Sequence, residues 1–375
     1  MERKKRRVDE KEPFYNTVPC QRTLKSKKGT PCKHMAYFVT PGGEYVCGQH
    51  SLDVKATRRK LIKDPNEGSR RVAELNDHRL DVLARVKENL ALGAEGSVAC
   101  FRMTMMGAVP LVKGRLNVFP NNKHGSRQDG YGCPHLSPMR LGPVNHRQPG
   151  LPPAKNIENY HQYNKVWPCE VDKDGNPDKE YEKRRLAGYK DPEPHRHKFD
   201  AKTMVEMRKK VAGENRNAPL YSVHSTLDGE ERRFTYVQSR YFYCYAYEAL
   251  AKRTKSFETL TNMKRAGYDL RICGYDAYPV TKSLYEHYCD PTKPFGHEMV
   301  LYTLLCLDGE VEPYPWHVYR DEHPDVYEGI ASVLTDEDND EYVATSTFDD
   351  DPVEVRSDEC DDENETFVTF KKKSK

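Results

Sequence analysis

The chain has 375 residues, with 60 Lys and Arg against 58 Asp and Glu and 37% apolar residues, which allows two or three domains with modest cores. Its longest nearly apolar run, Met299 to Leu307, spans 9 residues, far short of the about 20 that a bilayer crossing needs. The charged start has no apolar stretch behind it, which speaks against secretion, and eleven scattered Cys point to reduced thiols and metal ligation in an intracellular protein with no membrane partner.

Residues 1–15 form a basic arm containing Arg3-Lys4-Lys5-Arg6-Arg7, a nuclear address, a phosphate contact or simply a solvated terminus. Residues 16–52 carry Cys20-x11-Cys32-x14-Cys47-x2-His50. Three thiolates and one imidazole are the donor set of a closed tetrahedral Zn2+ site, with no position left for water, so the predicted metal is structural. A segment this short buries too little surface to fold unaided, and metal binding would supply the missing free energy. Cys47-x-x-His50 has knuckle spacing, and His34 is an alternative fourth ligand. Arg22, Lys25, Lys27, Lys28 and Lys33, then Lys55, Arg58, Arg59, Lys60 and Lys63, surround the ligands. Such density suits salt-sensitive contacts to nucleic acid, and a protein-binding zinc module with a basic rim has the same composition. The pattern Cys20-Gln21-Arg22 with Lys28-Gly29-Thr30-Pro31-Cys32-Lys33 resembles short Cys3His modules of large DNA viruses and their hosts.

Residues 53–106 read as a helical connector, with Val72, Leu75, Val82, Leu83, Val86 and Leu90 at helical spacing and Gly93 as the stop. From 107 to 155 breakers dominate, and Leu136, Leu141, Val144 and Leu151 would anchor a long, irregular, ordered loop. Asn156 is an N-cap for a helix through Trp167 that stacks Glu158, Gln162 and Lys165 on one face, with His161 beside them. That face suits the floor of a polar pocket, or an ordinary surface with a weak Glu–Lys pair. Further helices are predicted over 178–187, 240–253, 257–264 (ended by Gly267), 296–307 and 326–334, with a strand over 268–274 that places Leu270 and Ile272 on one face. Gly296 and His297 at a helix start expose backbone N–H groups, an anion site, while Glu298 in the same turn is what any stable helix prefers. His195-Arg196-His197 lacks further ligands at useful spacing. Residues 336–365 hold fifteen acids against Arg356 alone, followed by four lysines, so 336–375 is predicted to be a disordered acidic tail with a basic end. The tail either masks the basic body or merely solvates it. The predicted architecture is α+β: a zinc module, a connector, a helix-rich main domain over 107–335, and the tail.

Leu136-Ser137-Pro138 followed by the helix Asn156-Ile157-Glu158-Asn159-Tyr160-His161-Gln162-Tyr163-Asn164-Lys165-Val166-Trp167 looks like the signature of the NADAR family. There a Leu-Ser loop leads to a helix bearing Glu, His, Gln and Lys. The later order is also similar: Arg184 and Arg185 on a basic helix, an aromatic helix opening at Arg240, a strand ending in Gly274-Tyr275-Asp276, and Gly296 opening an apolar helix. Two positions depart from the signature, since His161 follows Glu158 by three and no Trp-Gly pair follows Asp276. Residues 228–306 are also similar to phage and giant-virus proteins. The resemblance implies an N-glycosidase that cleaves a ribosyl C1–N bond, with ADP-ribose on nucleic acid or a ribosylamine as substrate. It implies Glu158 as the carboxylate that stabilises the oxocarbenium-like state, and Asp276 as a second acid or ribose-hydroxyl ligand. Gln162 would bind substrate, Lys165, Arg185 and Arg240 would hold phosphates, and Tyr160 and Tyr275 would stack on a base or ribose. A viral origin would place the protein in a host nucleus, virus factory or virion. The competing expectation is a non-enzymatic, zinc-dependent nucleic-acid-binding or packaging protein of the virion.

Overall fold

Buried helices and a parallel sheet together build the centre of the larger unit. The computed structural model describes residues 18–24, 29–52, 54–58, 67–104, 108–195, 219–310 and 312–331, with isolated backbone stretches at 13–14, 60–61, 203, 205, 355–356 and 369–370. The basic arm other than 13–14, and most of the acidic tail, lie outside the described residues. The chain is a mixed α/β protein, and none of its described helices is long and apolar enough to cross a membrane. It divides into two compact units, Met1–Leu80 and Asp81–Lys375.

In the smaller unit, β1 (Phe38–Val39) pairs antiparallel with β2 (Tyr45–Val46) and β3 (Thr57–Arg58). Its core is minimal: Val46 and the three buried cysteines, with Leu24, Phe38 and Ala56 packed against them. Helix α1 (Glu67–Ala91) follows. Its buried positions are Leu75, His78, Val82, Val86 and Asn89, whereas Val72 and Leu90 are exposed. Leu75, Val82 and Val86 thus face inward as expected and Leu83 is half-buried, while two polar residues share the inner face. Asn89 can do so because its amide donates to the Gly267 carbonyl at 2.8 Å.

The larger unit is organised by a sheet of β4 (Val98–Arg102), β5 (Arg115–Phe119), β6 (Tyr131–Gly132) and, later in the chain, β10 (Asp269–Gly274). The spatial order is β4-β10-β5-β6, and every pairing is parallel. All six residues of β10 are buried. Parallel strands are covered on both faces and so lack the alternation of a half-exposed strand, which is why the predicted one-sided pattern of Leu270 and Ile272 was too narrow. Strands β4 and β5 fall in stretches read as connector and irregular loop. Outside β5, β6 and a 3-10 turn at Pro134–Leu136, residues 108–155 are irregular, pinned by buried Leu136, Leu141 and Val144 as expected, while the fourth expected anchor, Leu151, is only partly buried.

Helix α2 (Ile157–Tyr163) stops short of Trp167, because Lys165–Val166 forms β7 and pairs with β8 (Tyr221–Ser225), which in turn pairs with β9 (Glu231–Phe234). Helix α3 (Lys179–Lys190) is capped by Asp178. Helix α4 (Tyr236–Ala251) starts in a capping box of Thr235 and Gln238, and α5 (Lys255–Arg265) ends before Gly267 at φ 88°. After α6 (Leu284–Cys289) comes the buried α7 (His297–Cys306). The helix predicted over 326–334 is replaced by α8 (Pro315–Glu322) and α9 (Pro324–Tyr327), each opening on a proline whose missing N–H costs nothing at a first helical position. Residues 332–334 lie outside the described set.

Arg240, predicted to hold phosphate, is 4% exposed. Its guanidinium donates to the carbonyls of Tyr288, Asp290 and Lys293, closing the irregular chain after α6 onto α4. Arg240→Met would strand those carbonyls, and we expect a loss of about 3 kcal/mol of unfolding free energy, read from a denaturant midpoint.

Candidate metal centre and candidate active site

Two backbone features bring the four zinc-type ligands together. Residues 18–24 and 29–36 pair as a ribbon in which the Cys20 N–H donates to His34 O (2.9 Å) and the Cys32 N–H to Arg22 O (2.8 Å), placing the two thiols side by side. The β1–β2 hairpin delivers Cys47, and the turn after it brings His50 back. All four side chains are buried, with their ligand atoms within 4.8 Å of one another. His50 Nδ1 lies 3.3 Å from Cys20 Sγ and 3.4 Å from Cys47 Sγ, and Cys32 Sγ lies 3.9 Å from Cys47 Sγ. A tetrahedral zinc with ordinary bond lengths would have S···S edges of about 3.8 Å and S···N edges of about 3.5 Å, so the spacings fit. His34 is exposed, its carbonyl taking the Cys20 N–H and its own backbone N–H serving the Cys32 sulfur, whereas the His50 ring is buried with the three thiols, so His50 is the fourth candidate ligand. Arg22 is clamped by Glu44 through Nε–Oε1 (2.7 Å) and Nη2–Oε2 (2.5 Å). Lys33, Lys55 and Arg58 are exposed. The side chains of Lys25, Lys27, Lys28, Arg59, Lys60 and Lys63 lie outside the described residues.

The second group of functional side chains forms where the parallel strands end. Ligands of open α/β sheets gather at the carboxyl ends of strands, where successive loops diverge. Here β5 runs out into Pro120-Asn121-Asn122, and β10 into Tyr275-Asp276. The first turn of α7 lies against both. Glu298 Oε1 accepts from Asn121 Nδ2 (3.0 Å) and from the Tyr275 N–H (3.2 Å). The approach is so close that a β-carbon on Gly274 would sit 2.1 Å from Glu298 Oε1. A β-carbon on Gly296 would lie 3.0 Å from Asp276 Oδ2 and 3.4 Å from Glu298 Oε2. Two carboxylates therefore share the space above one glycine.

Helix α2 supplies the other side. Asn156 caps it by accepting from the Asn159 N–H at 2.8 Å, and the preceding loop lies directly on its first turn. Ile157 N–H donates to Leu141 O (2.8 Å) and Glu158 N–H to Pro138 O (3.0 Å), while Leu136 O takes the Tyr247 hydroxyl at 2.7 Å. The Leu136-Ser137-Pro138 segment thus straps the helix that bears Glu158. Glu158 is 7% exposed. Its Oε1 accepts from Gln162 Nε2 (3.0 Å), and Gln162 Oε1 accepts from Lys165 Nζ (3.3 Å). Burial draws the Lys165 ammonium down to about 8, and attraction from Glu158 and then Asp276 opposes that fall. The lysine therefore senses a carboxylate from α2 and another from the end of β10. Burial, followed by the charges of Glu158, Tyr247 and Glu298, holds the Tyr243 phenol far above its ordinary range. His161, 4.7 Å from the Tyr243 ring, is kept neutral by burial and by Lys165.

Glu158, Gln162, Lys165 and Asp276 are thus brought together, with Tyr275, Gly296 and His297 at the Asp276 edge. Three predicted residues are not. Tyr160 is 1% exposed and stacks on His146 (5.5 Å, 9°) within the core, leaving no ring face for a base. Arg185 donates to Asn164 Oδ1, Glu231 Oε1, Gln148 Oε1 and Val223 O, so it crosslinks α3 to the antiparallel sheet rather than holding phosphate. Arg240 serves the carbonyls named above. Sequence reasoning passed over Asn121, Tyr243 and the role of Glu298. The glycines at 274 and 296 were the available signal, since each clears the space that Glu298 or Asp276 fills.

No protein family model, curated protein or solved structure matches this chain.

An unfolded lysine keeps its proton to about pH 10.5, whereas folded Lys165 releases it near 8. The unfolded chain binds more protons between those values, so this group makes stability rise with pH across that window. We expect the Lys165 amine to titrate near pH 8 in lysine-selective NMR, and Lys165→Met to remove that transition.

Proposed function

We propose that the larger unit is a NADAR-type N-glycosidase that hydrolyses a ribosyl C1–N bond, with ADP-ribose attached to nucleic acid as the leading substrate class. The observation that carries the reading is the Glu158–Gln162–Lys165 hydrogen-bond chain, whose lysine also feels the charge of Asp276 from the carboxyl end of β10. Breaking a ribose C1–N bond builds positive charge on the sugar, and carboxylates in a partly desolvated setting stabilise that charge far better than water does. In this scheme Glu158, oriented by Gln162, stabilises the cationic sugar and takes a proton from the attacking water. The water oxygen bonds to C1 as the C1–N bond breaks, and the leaving nitrogen keeps the electron pair and gains a proton. Lys165 offsets the mutual repulsion of Glu158 and Asp276 and is placed to meet a substrate phosphate. Asp276 contacts the sugar from the opposite side.

Within the same proposal, Cys20, Cys32, Cys47 and His50 hold a structural zinc, and the exposed Lys33, Lys55 and Arg58 bring the module to a phosphate backbone. A purely nucleic-acid-binding protein is the second reading, and this basic rim is the observation that favours it.

Incubation with ADP-ribosylated oligonucleotides separates the two. We expect wild type to release ADP-ribose and Glu158→Gln to release it at least about a hundredfold more slowly, with binding of the oligonucleotide retained. Equal background release by both proteins would leave only the binding reading. For the metal, elemental analysis should give one zinc per chain, with Cys32→Ser losing it together with the salt-dependent part of oligonucleotide affinity. Full zinc content in that variant would refute the ligand set.

A further inference from the structure

The small sheet of the Met1–Leu80 unit has an uncharged outer face in a strongly basic setting. From Met35 to Thr40 the chain alternates as a half-exposed strand does. Ala36 and Thr40 are buried and Phe38 packs on the cysteine core, whereas Met35 and Val39 are half-buried and Tyr37 is 39% exposed. The register adds a residue on each side of Val39, with Tyr45 opposite it on β2 and Thr57 opposite it on β3. Paired residues share a face, so Met35, Tyr37, Val39, Tyr45 and Thr57 form one outward surface, with Tyr37 diagonal to Tyr45. Gln21 fixes its edge: the Gln21 N–H donates to Tyr45 O (2.9 Å), and Gln21 Oε1 accepts from the Tyr45 N–H (2.6 Å).

Residues 16–63 contain ten Lys and Arg against Glu44 and Asp53 alone, and Arg22 takes Glu44. Lys33, two residues before Met35, and Arg58, next to Thr57, are both exposed. Such a charge balance draws a polyanion, whose phosphates give salt-dependent affinity. The tyrosine-bearing face then distinguishes between kinds of polymer. A duplex presents phosphates, sugars and base edges, and its base faces are stacked on one another. An unpaired strand offers those faces, and exposed rings beside cations that track the backbone are the combination that binds it.

We infer that this face is a stacking platform for single-stranded nucleic acid, on which Tyr37 packs against an unpaired base between flanking cations. The inference rests on the nucleic-acid contact proposed above for the zinc module and is independent of the glycosidase chemistry. It also ties the metal to recognition. Val46 and Phe38 pack with the three ligand cysteines from the inner side of the same strands, so the metal would hold flat the sheet that carries Tyr37 and Tyr45.

The test is fluorescence anisotropy on the full, zinc-loaded chain with three DNA probes of one length. They are a mixed-sequence single strand, the same strand paired with its complement, and a strand of abasic sites that keeps the phosphates and lacks the bases. We expect the single strand to bind at least about fivefold more tightly than either of the others. Tyr37→Ala should weaken the single strand at least about fivefold and leave the duplex within about twofold, whereas Tyr37→Phe, which keeps the ring, should bind as wild type does. Zinc content and thermal melting check that the variants fold, and the three-probe comparison on wild type needs no variant. Equal affinity for single strand and duplex, equal affinity for single and abasic strands, or wild-type single-strand affinity in a folded Tyr37→Ala would overturn the platform and leave a module that meets phosphates alone. No binding of any probe at low salt would overturn the nucleic-acid contact itself, and the platform with it.

Discussion

The larger unit depends on how closely the first turn of α7 approaches the end of β10. Glu298 sits against Gly274 with no room for a side chain between them, and Asp276 lies over Gly296 at a looser but still tight distance. Two acids held at this distance repel each other. The fold meets the cost locally, with donors from Asn121 and the Tyr275 backbone on Glu298 and with the Lys165 ammonium near Asp276 and Glu158. A lysine drawn down by burial yet kept cationic at neutral pH by two carboxylates marks an electrostatic compromise rather than a simple ion pair.

Around that centre the molecule uses buried polar groups as structural joints. Arg185 gathers Asn164, Gln148, Glu231 and the Val223 carbonyl, and Arg240 gathers three carbonyls of an irregular segment. Tyr189 adds a 2.7 Å bond to Asn164 Oδ1. Long irregular stretches carry many backbone groups that no ladder satisfies. Planar guanidinium donors answer several of them at once. This explains why arginines that look like phosphate ligands in sequence are spent inside the protein.

The smaller unit solves a different problem with the same economy. Its apolar core is too small for independent stability, and four metal-type donors occupy the position that a larger core would take. Three of their spacings match the edges of a tetrahedron before any ion is considered. The ribbon and hairpin backbone therefore organises the site, and a bound metal would lock it.

Much was legible in the residues alone. The Cys3His set could be read from donor chemistry and spacing. So could the capped helix bearing Glu158 and Gln162, the apolar helix after Gly296 and the apolar anchors Leu136, Leu141 and Val144 of the irregular stretch, although that helix ends before Lys165 and the stretch contains β5. Each is encoded locally, in a ligand interval, an N-cap or a periodicity. The parallel order β4-β10-β5-β6 was not legible, because strands buried on both faces carry no alternation and their partners lie far apart in the chain. Nor was the fate of Tyr160, Arg185 and Arg240, whose side-chain chemistry suits either a ligand or a core joint. Only the tertiary arrangement decides which, since a guanidinium turns inward where unsatisfied carbonyls await it. Asn121 and Glu298 became visible for the same reason: they stand 177 positions apart, and only the sheet brings them within a hydrogen bond.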